Sequence, residues 1–282
     1  MSERALGRAL AIVGGAAVVL WGILAVAWYL RVPWAVGLWP WPEVPMTFVF
    51  LSSIGAAIVA AWAVIGTARE PGSLAGIGAN IAVVGCGTAA FGAWLSTQGT
   101  PGTGSYIAMG VALLLFGALL SVWARRQPLR DARPMPGIAR AGFAFFVCAL
   151  VTAGSLLAFQ VQVFPWRLHP LSATMIGIIF LGAAASFAYG VVYPKWVHAA
   201  PALAGFLAYD LVLFVPYARL FTSDAGTGVI GDFYGGGQSA GIDVTSLVIY
   251  LGVLALSALL AVYLFLVDPR TRWFGRSSDK SV

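Results

Sequence analysis

Apolar runs of about twenty residues recur eight times along the chain, separated by short polar or proline-rich stretches. A helix needs about twenty apolar residues to cross a hydrocarbon core of ~30 Å. The ten-residue segments of alternating polarity typical of a membrane β-barrel are absent from the sequence. The pattern therefore predicts an all-α integral membrane protein with eight transmembrane helices. They are placed at 8–30, 46–65, 73–95, 106–123, 138–160, 172–193, 198–216 and 244–267.

Composition supports a lipid environment. Of the 282 residues, 60% are hydrophobic and only 9% are charged, whereas soluble domains carry about 25% charged residues. The net charge of +6 does not indicate a nucleic-acid partner, because no basic face is interleaved with aromatic residues. The predicted partner is the lipid bilayer.

The positive residues predict the orientation. Thirteen of the sixteen Lys and Arg residues fall on one side of an eight-span topology, and Arg31, Arg167 and Arg219 fall on the other. The side rich in Lys and Arg faces the cytoplasm, so both termini are predicted to be cytoplasmic, in a bacterial cytoplasmic membrane. The basic linker 125–137 and the basic tail 268–282 are expected to contact anionic lipid headgroups.

The two halves of the chain resemble each other, which predicts two parallel four-helix repeats over 1–124 and 138–267. The loop Trp39-Pro40-Trp41 matches Phe164-Pro165-Trp166, and each is followed by a proline four residues after its second aromatic residue. Small residues every fourth position, which allow close helix packing in lipid, form one ridge in span six and one in span two. The ridges are Gly182, Ser186 and Gly190, and Ser52, Ala56 and Ala60.

Asp210 is the candidate functional residue. It lies nine residues after Pro201, which is ~13 Å along a helix and so near the middle of a membrane. A carboxylate there costs several kcal/mol unless it is protonated, hydrated or paired. One interpretation is a proton-carrying or cation-binding group, with its repeat counterpart Asn80 as a neutral ligand. The other is a hydrogen-bonded acid that holds helices together.

Other chemistry is weakly represented. His169 and His198 are expected at opposite membrane faces, too far apart to share a metal or haem, and the glycine-rich stretch 222–243 lacks the ending of a phosphate-binding loop. No cofactor or catalytic residue is predicted, and an enzyme is disfavoured. Two functions stay open: a small transporter or permease-like protein with a polar site between its repeats, and a non-catalytic subunit or scaffold that binds another membrane protein.

Overall fold

The computed structural model describes residues 3–222 and 244–271. The chain is about 80% helical and has no β-strand within these residues, and seven of its helices are long and apolar enough to cross a membrane. The predicted class, a helical membrane protein with several spans, is confirmed.

Within the described residues, eight long helices follow one another, and each overlaps a predicted span. They are α1 (Glu3–Tyr29), α2 (Pro45–Ala68), α3 (Leu74–Thr97), α4 (Thr103–Arg125), α5 (Gly137–Ala158), α6 (Pro170–Val192), α7 (Trp196–Thr222) and α8 (Val244–Val262), which a π-helical turn extends over Tyr263–Val267. The seven long apolar helices are α2 to α8. The apolar part found in α1 is the shorter segment Gly14–Tyr29.

Local sequence explains several helix ends. Pro45 and Pro170 occupy the first turns of α2 and α6, where the missing proline N–H costs no hydrogen bond. Arg69 ends α2 in the left-handed conformation, with φ of 53°.

We call the end of the bundle that carries residues 126–136 the linker end, and the opposite end the far end.

The helices pack as four hairpins of consecutive helices, and two further extensive contacts join helices of different halves of the chain. The hairpins are α1–α2, α3–α4, α5–α6 and α7–α8, while α2 also packs against α7 and α3 against α6. Two helices of the first half therefore pack against two helices of the second, and we call this arrangement the exchange of helix partners.

Glycines bring α3 and α4 into backbone contact. A Cβ atom on Gly85 would lie 2.7 Å from the carbonyl oxygen of Gly110, and one on Gly78 would lie 2.7 Å from that of Gly117. Both distances are too short for a side chain. In each helix the two glycines are seven residues apart, so they lie on one face.

The two predicted ridges have different surroundings. On α6, Gly182 and Ser186 face α3, and the Ser186 hydroxyl donates to the carbonyl of Gly76 at 3.0 Å. Gly190 instead lies against Phe143 of α5. On α2, Ser52 is buried and Ala56 and Ala60 are partly buried.

The linker is fixed to the bundle by backbone hydrogen bonds. Met135 N–H donates to the carbonyl of Pro194, and Trp196 N–H donates to that of Arg133, both at 2.9 Å. The buried carboxylate of Glu70 accepts the N–H groups of Arg130 at 3.1 Å and Asp131 at 2.7 Å. The linker is thus attached both before α3 and before α7.

Candidate intramembrane polar site

Asp210 lies at the interface of α7 and α8, and it is only 3% exposed. Its Oδ2 accepts a hydrogen bond of 2.6 Å from the hydroxyl of Ser257. Ser257 lies twelve residues from one end and ten from the other of the apolar span Thr245–Val267, which places it about 15–18 Å from each end. The pair is therefore near the middle of the apolar part of the bundle.

Only one of the two carboxyl oxygens of Asp210 has a hydrogen-bond partner among the described residues. Oδ1 is buried and has no hydrogen-bond partner among the described residues. The Ser257 hydroxyl also lies 3.1 Å from the carbonyl oxygen of Leu254. An ionised Asp210 and this carbonyl would both be acceptors, and Ser257 has one proton to share between them. A proton on Asp210 resolves this arrangement, because the carboxyl can then donate to Ser257 and Ser257 to Leu254.

Tyrosines lie between the acid and the far end of the bundle. Tyr250 is seven residues before Ser257 on α8, and Tyr217 is seven residues after Asp210 on α7, so both are about two helical turns away in the same direction. The rings of Tyr217 and Tyr250 are stacked at 5.2 Å, and the hydroxyls of Tyr209 and Tyr250 are hydrogen-bonded to each other. The result is a group of hydroxyls between the acid and the far end.

This polar group also touches the first half of the chain. The ring of Phe50, on α2, lies edge-on to Tyr209 at 5.9 Å. Pro216, six residues beyond Asp210, interrupts the hydrogen bonding of α7, because it has no N–H to donate to the carbonyl of Val212.

The structure places Asn80 at another interface. The Oδ1 atom of Asn80 would lie 2.6 Å from a Cβ atom on Gly182, so Asn80 lies at the interface between α3 and α6. Asp210 lies between α7 and α8. The hydrogen-bond partner that the structure gives Asp210 is thus Ser257, a residue that was not predicted from the sequence.

A second polar cluster lies at the far end, around Glu43. The Thr47 hydroxyl donates to Glu43 Oε2 at 2.9 Å, and the N–H of His169 donates to Oε1 at 3.0 Å. Burial raises the pKa of the Glu43 carboxyl above its ordinary value, and these hydrogen bonds, with one from Ser172, offset part of that effect. The cluster joins the starts of α2 and α6.

Two tryptophans connect the same helix starts in a reciprocal way. Trp166, in the loop before α6, donates through Nε1 to the Thr47 hydroxyl of α2 at 3.1 Å. Trp39, in the loop before α2, donates to the Ser172 hydroxyl of α6 at 3.0 Å. Each loop therefore binds the helix of the other half.

Metal ligation has little support in the described part of the chain. No group of three His, Cys, Asp or Glu side chains in it is placed to hold a metal ion. His169 and His198 lie just before α6 and in the first turn of α7, so the length of α6 separates them. The glycine-rich stretch and its acids, within 223–243, and residues 272–282 of the basic tail lie outside the described residues.

These features define a helical membrane protein that crosses the bilayer several times, with an enclosed acid in its middle. No family model matches the chain, and no match was found among curated proteins or solved structures. The site itself is therefore the source of evidence for function.

Proposed function

We propose that the protein is a small transporter or permease-like protein, in which Asp210 takes up a proton or a cation within the membrane. The observation that carries the proposal is the hydrogen bonding of this acid. One Ser257 proton faces two acceptors, and Asp210 Oδ1 has no partner among the described residues. Because an unpaired carboxylate is costly at this depth, Asp210 requires a proton or a cation. Coupled transport requires a group within the membrane that binds and releases such an ion.

The proposed topology has eight spans and places both termini and the linker end in the cytoplasm of a bacterium. The 27-residue length of α1 supports a first span, because 27 residues of helix extend over about 40 Å. The concentration of Lys and Arg at the linker end supports the orientation.

The proposed repeats are supported by the exchange of helix partners. A shift by four helices converts the pairs α1–α2, α3–α4 and α2–α7 into α5–α6, α7–α8 and α6–α3, and all six pairs are in contact. This is the pattern expected of two parallel repeats related by an axis along the membrane normal.

The contact points within these pairs support the repeats in more detail. A Cβ atom on Gly205 of α7 would lie 3.0 Å from the carbonyl of Ala57 on α2, and one on Gly76 of α3 would lie 3.7 Å from the carbonyl of Ser186 on α6. The same shift of 129 residues relates Ala57 to Ser186 and Gly76 to Gly205. The polar site, beside Phe50 of the first half, would then lie next to the interface between the repeats.

The alternative function is a non-catalytic membrane subunit or scaffold. The enclosure of the site favours it, since Asp210 is 3% exposed and Ser257 is 1% exposed. In that case the acid is a protonated clamp between α7 and α8, and the protein acts by binding another membrane protein.

Water access to Asp210 separates the two functions. The experiment places a cysteine by Asp210→Cys in a background without the exposed Cys86 and Cys148. The matched control is Leu211→Cys, the next residue on α7, which is 67% exposed on the apolar surface. Each variant is treated in proteoliposomes with a small charged thiol reagent, because thiols react as thiolates and need water.

Transport predicts labelling at position 210 and none at 211, since a carried ion needs a hydrated route in at least one conformation. A lack of labelling at 210 from both sides, in a protein that elutes and unfolds like the parent, would overturn the transport proposal. The search would then turn to partners that purify with the chain.

A further inference from the structure

A basic cavity of about 350 Å³ lies at the linker end, between the end of α4, the end of α6 and the start of α7. It is separate from the site at Asp210. Its polar side chains come from α4, α6, α7, the linker and the short loop between α6 and α7, and they are Arg125, Gln127, Tyr189, Tyr193, Lys195 and His198. None of the described residues that line it is acidic.

Two aromatic rings position the main charge. The Arg125 guanidinium carbon lies 5.2 Å from the ring centre of Tyr189 and 5.3 Å from that of Tyr193. Contacts of this length hold a cation over aromatic faces. Neither Arg125 nor Lys195 forms an ion pair with a described residue, so neither charge is neutralised by an acid in the described part of the chain.

The cavity wall is preformed. Gln127 and Leu129, which line it, belong to the linker, and Glu70 holds the N–H groups of the next two residues. Across the cavity, Lys195 lies between Pro194 and Trp196, whose backbones are hydrogen-bonded to the linker. A ligand that enters would therefore find the walls in place, which lowers the entropy cost of binding.

We propose that this cavity binds a phosphate group, held by Arg125 and Lys195. Arginine forms paired hydrogen bonds to phosphate oxygens, and lysine adds a point charge. The cavity volume lies near the lower limit for small-ligand sites, which fits a phosphate headgroup or a small phosphate compound.

The position of the cavity suits a lipid headgroup. It lies where α4 and α6 end and α7 begins, so it is at the level where a bilayer carries its phosphates. Basic pockets between helices at this level are typical binding sites for anionic headgroups. Inorganic phosphate from solution offers the same chemistry, and the experiment distinguishes the two sources.

The test measures binding to the full-length protein purified in a neutral detergent. The probes are a short-chain phosphatidylglycerol, the matching phosphatidylcholine and inorganic phosphate. The variants are Arg125→Gln and Lys195→Gln, and the matched control is Arg126→Gln. Arg126 is the next residue, exposed and equally charged, and it does not line the cavity. Thermal unfolding and elution volume establish that each variant is folded.

We expect at least one anionic probe to bind the parent, and each cavity variant to bind it about tenfold or more weakly, as loss of a charge-assisted hydrogen bond implies. Arg126→Gln should retain the parent affinity. Binding of the anionic lipid alone identifies a headgroup site, and binding of inorganic phosphate identifies a soluble source. Equal weakening by Arg125→Gln and Arg126→Gln would overturn the proposal, because it indicates diffuse surface charge. Failure of both anionic probes to bind the parent, or equal binding of phosphatidylcholine, would overturn it too.

Discussion

The substitution Gly110→Ala tests how closely α3 and α4 approach. The new Cβ atom would lie 2.7 Å from both the carbonyl oxygen of Gly85 and the Cα of Ala89. The backbone nitrogen of Ala89 would be closer still. Ordinary contacts begin near 3.4 Å, so the backbones must separate by at least about 0.7 Å, and a gap of that size forfeits a quarter to a half of the dispersion energy of the atoms that line it.

The expected cost follows from that separation. Overpacking costs about 1–3 kcal/mol, and the upper end applies here because the obstacle is backbone, which cannot change rotamer. Replacing a mid-helix glycine by alanine recovers up to about 1 kcal/mol of helix propensity. The net loss in free energy of unfolding is therefore about 2 kcal/mol.

The matched control is Gly252→Ala, in the middle of α8, where no described atom beyond the backbone of its own helix lies within 4 Å of the new Cβ. It gains the same helix propensity without the clash, so it should be neutral or slightly stabilising. Unfolding is followed by tryptophan fluorescence during titration with a denaturing detergent. If Gly110→Ala unfolds at the same detergent concentration as Gly252→Ala, the two helices are not in backbone contact and the reasoning fails.

Three further predictions concern buried polar groups. The pKa of Glu43 is raised by burial, so the folded state binds its proton more tightly than the unfolded state. Stability is then highest below the unfolded pKa of about 4.3 and falls as the pH rises through the folded pKa. Melting temperatures between pH 4 and 8 should show this fall, which Glu43→Gln flattens. Ser257→Ala removes the partner of Asp210 and should lower the free energy of unfolding by about 1–2 kcal/mol in a detergent titration. Glu70→Gln replaces one of two acceptor oxygens by a donor, so trypsin should cleave after Arg130 about tenfold faster or more.

Each of these has its own control. An unchanged pH slope in Glu43→Gln would assign the slope to other groups. Ser96→Ala removes an exposed hydroxyl that bonds only within its own helix, and a loss as large as that of Ser257→Ala would remove the special role of the Asp210 pair. Glu43→Gln, at the far end, should leave trypsin cleavage of the linker unchanged.

The helices were predictable because membrane thickness sets their length, and hydropathy records it residue by residue. Long-range partners leave no such local trace. Asp210 and Ser257 are 47 residues apart, and nothing near Asp210 indicates which helix will face it. The seven-residue spacings from Asp210 to Tyr217 and from Tyr250 to Ser257 are visible in the sequence, yet they become a signal only once α7 and α8 are known to pair.

The glycine contact illustrates the same point for packing. Small residues at a spacing of four predict the ridges on α2 and α6. The backbone contact between α3 and α4 instead uses a spacing of seven, at Gly78 and Gly85 on α3. Both spacings keep residues on one helix face, so periodicity alone cannot choose between them.

The exchange of helix partners has a consequence for how the chain is made. Ala57 of α2 meets Gly205 of α7, a residue synthesised about 150 positions later, and at roughly 5–20 residues per second α2 waits about 7–30 seconds for it. Gly76 of α3 meets Ser186, 110 residues later, so α6 can dock while α7 is still absent. During that interval α2 exposes to lipid, or to an insertion factor, a face that the finished protein covers. The packing of α2 is therefore completed only when the last hairpin, α7–α8, has been synthesised.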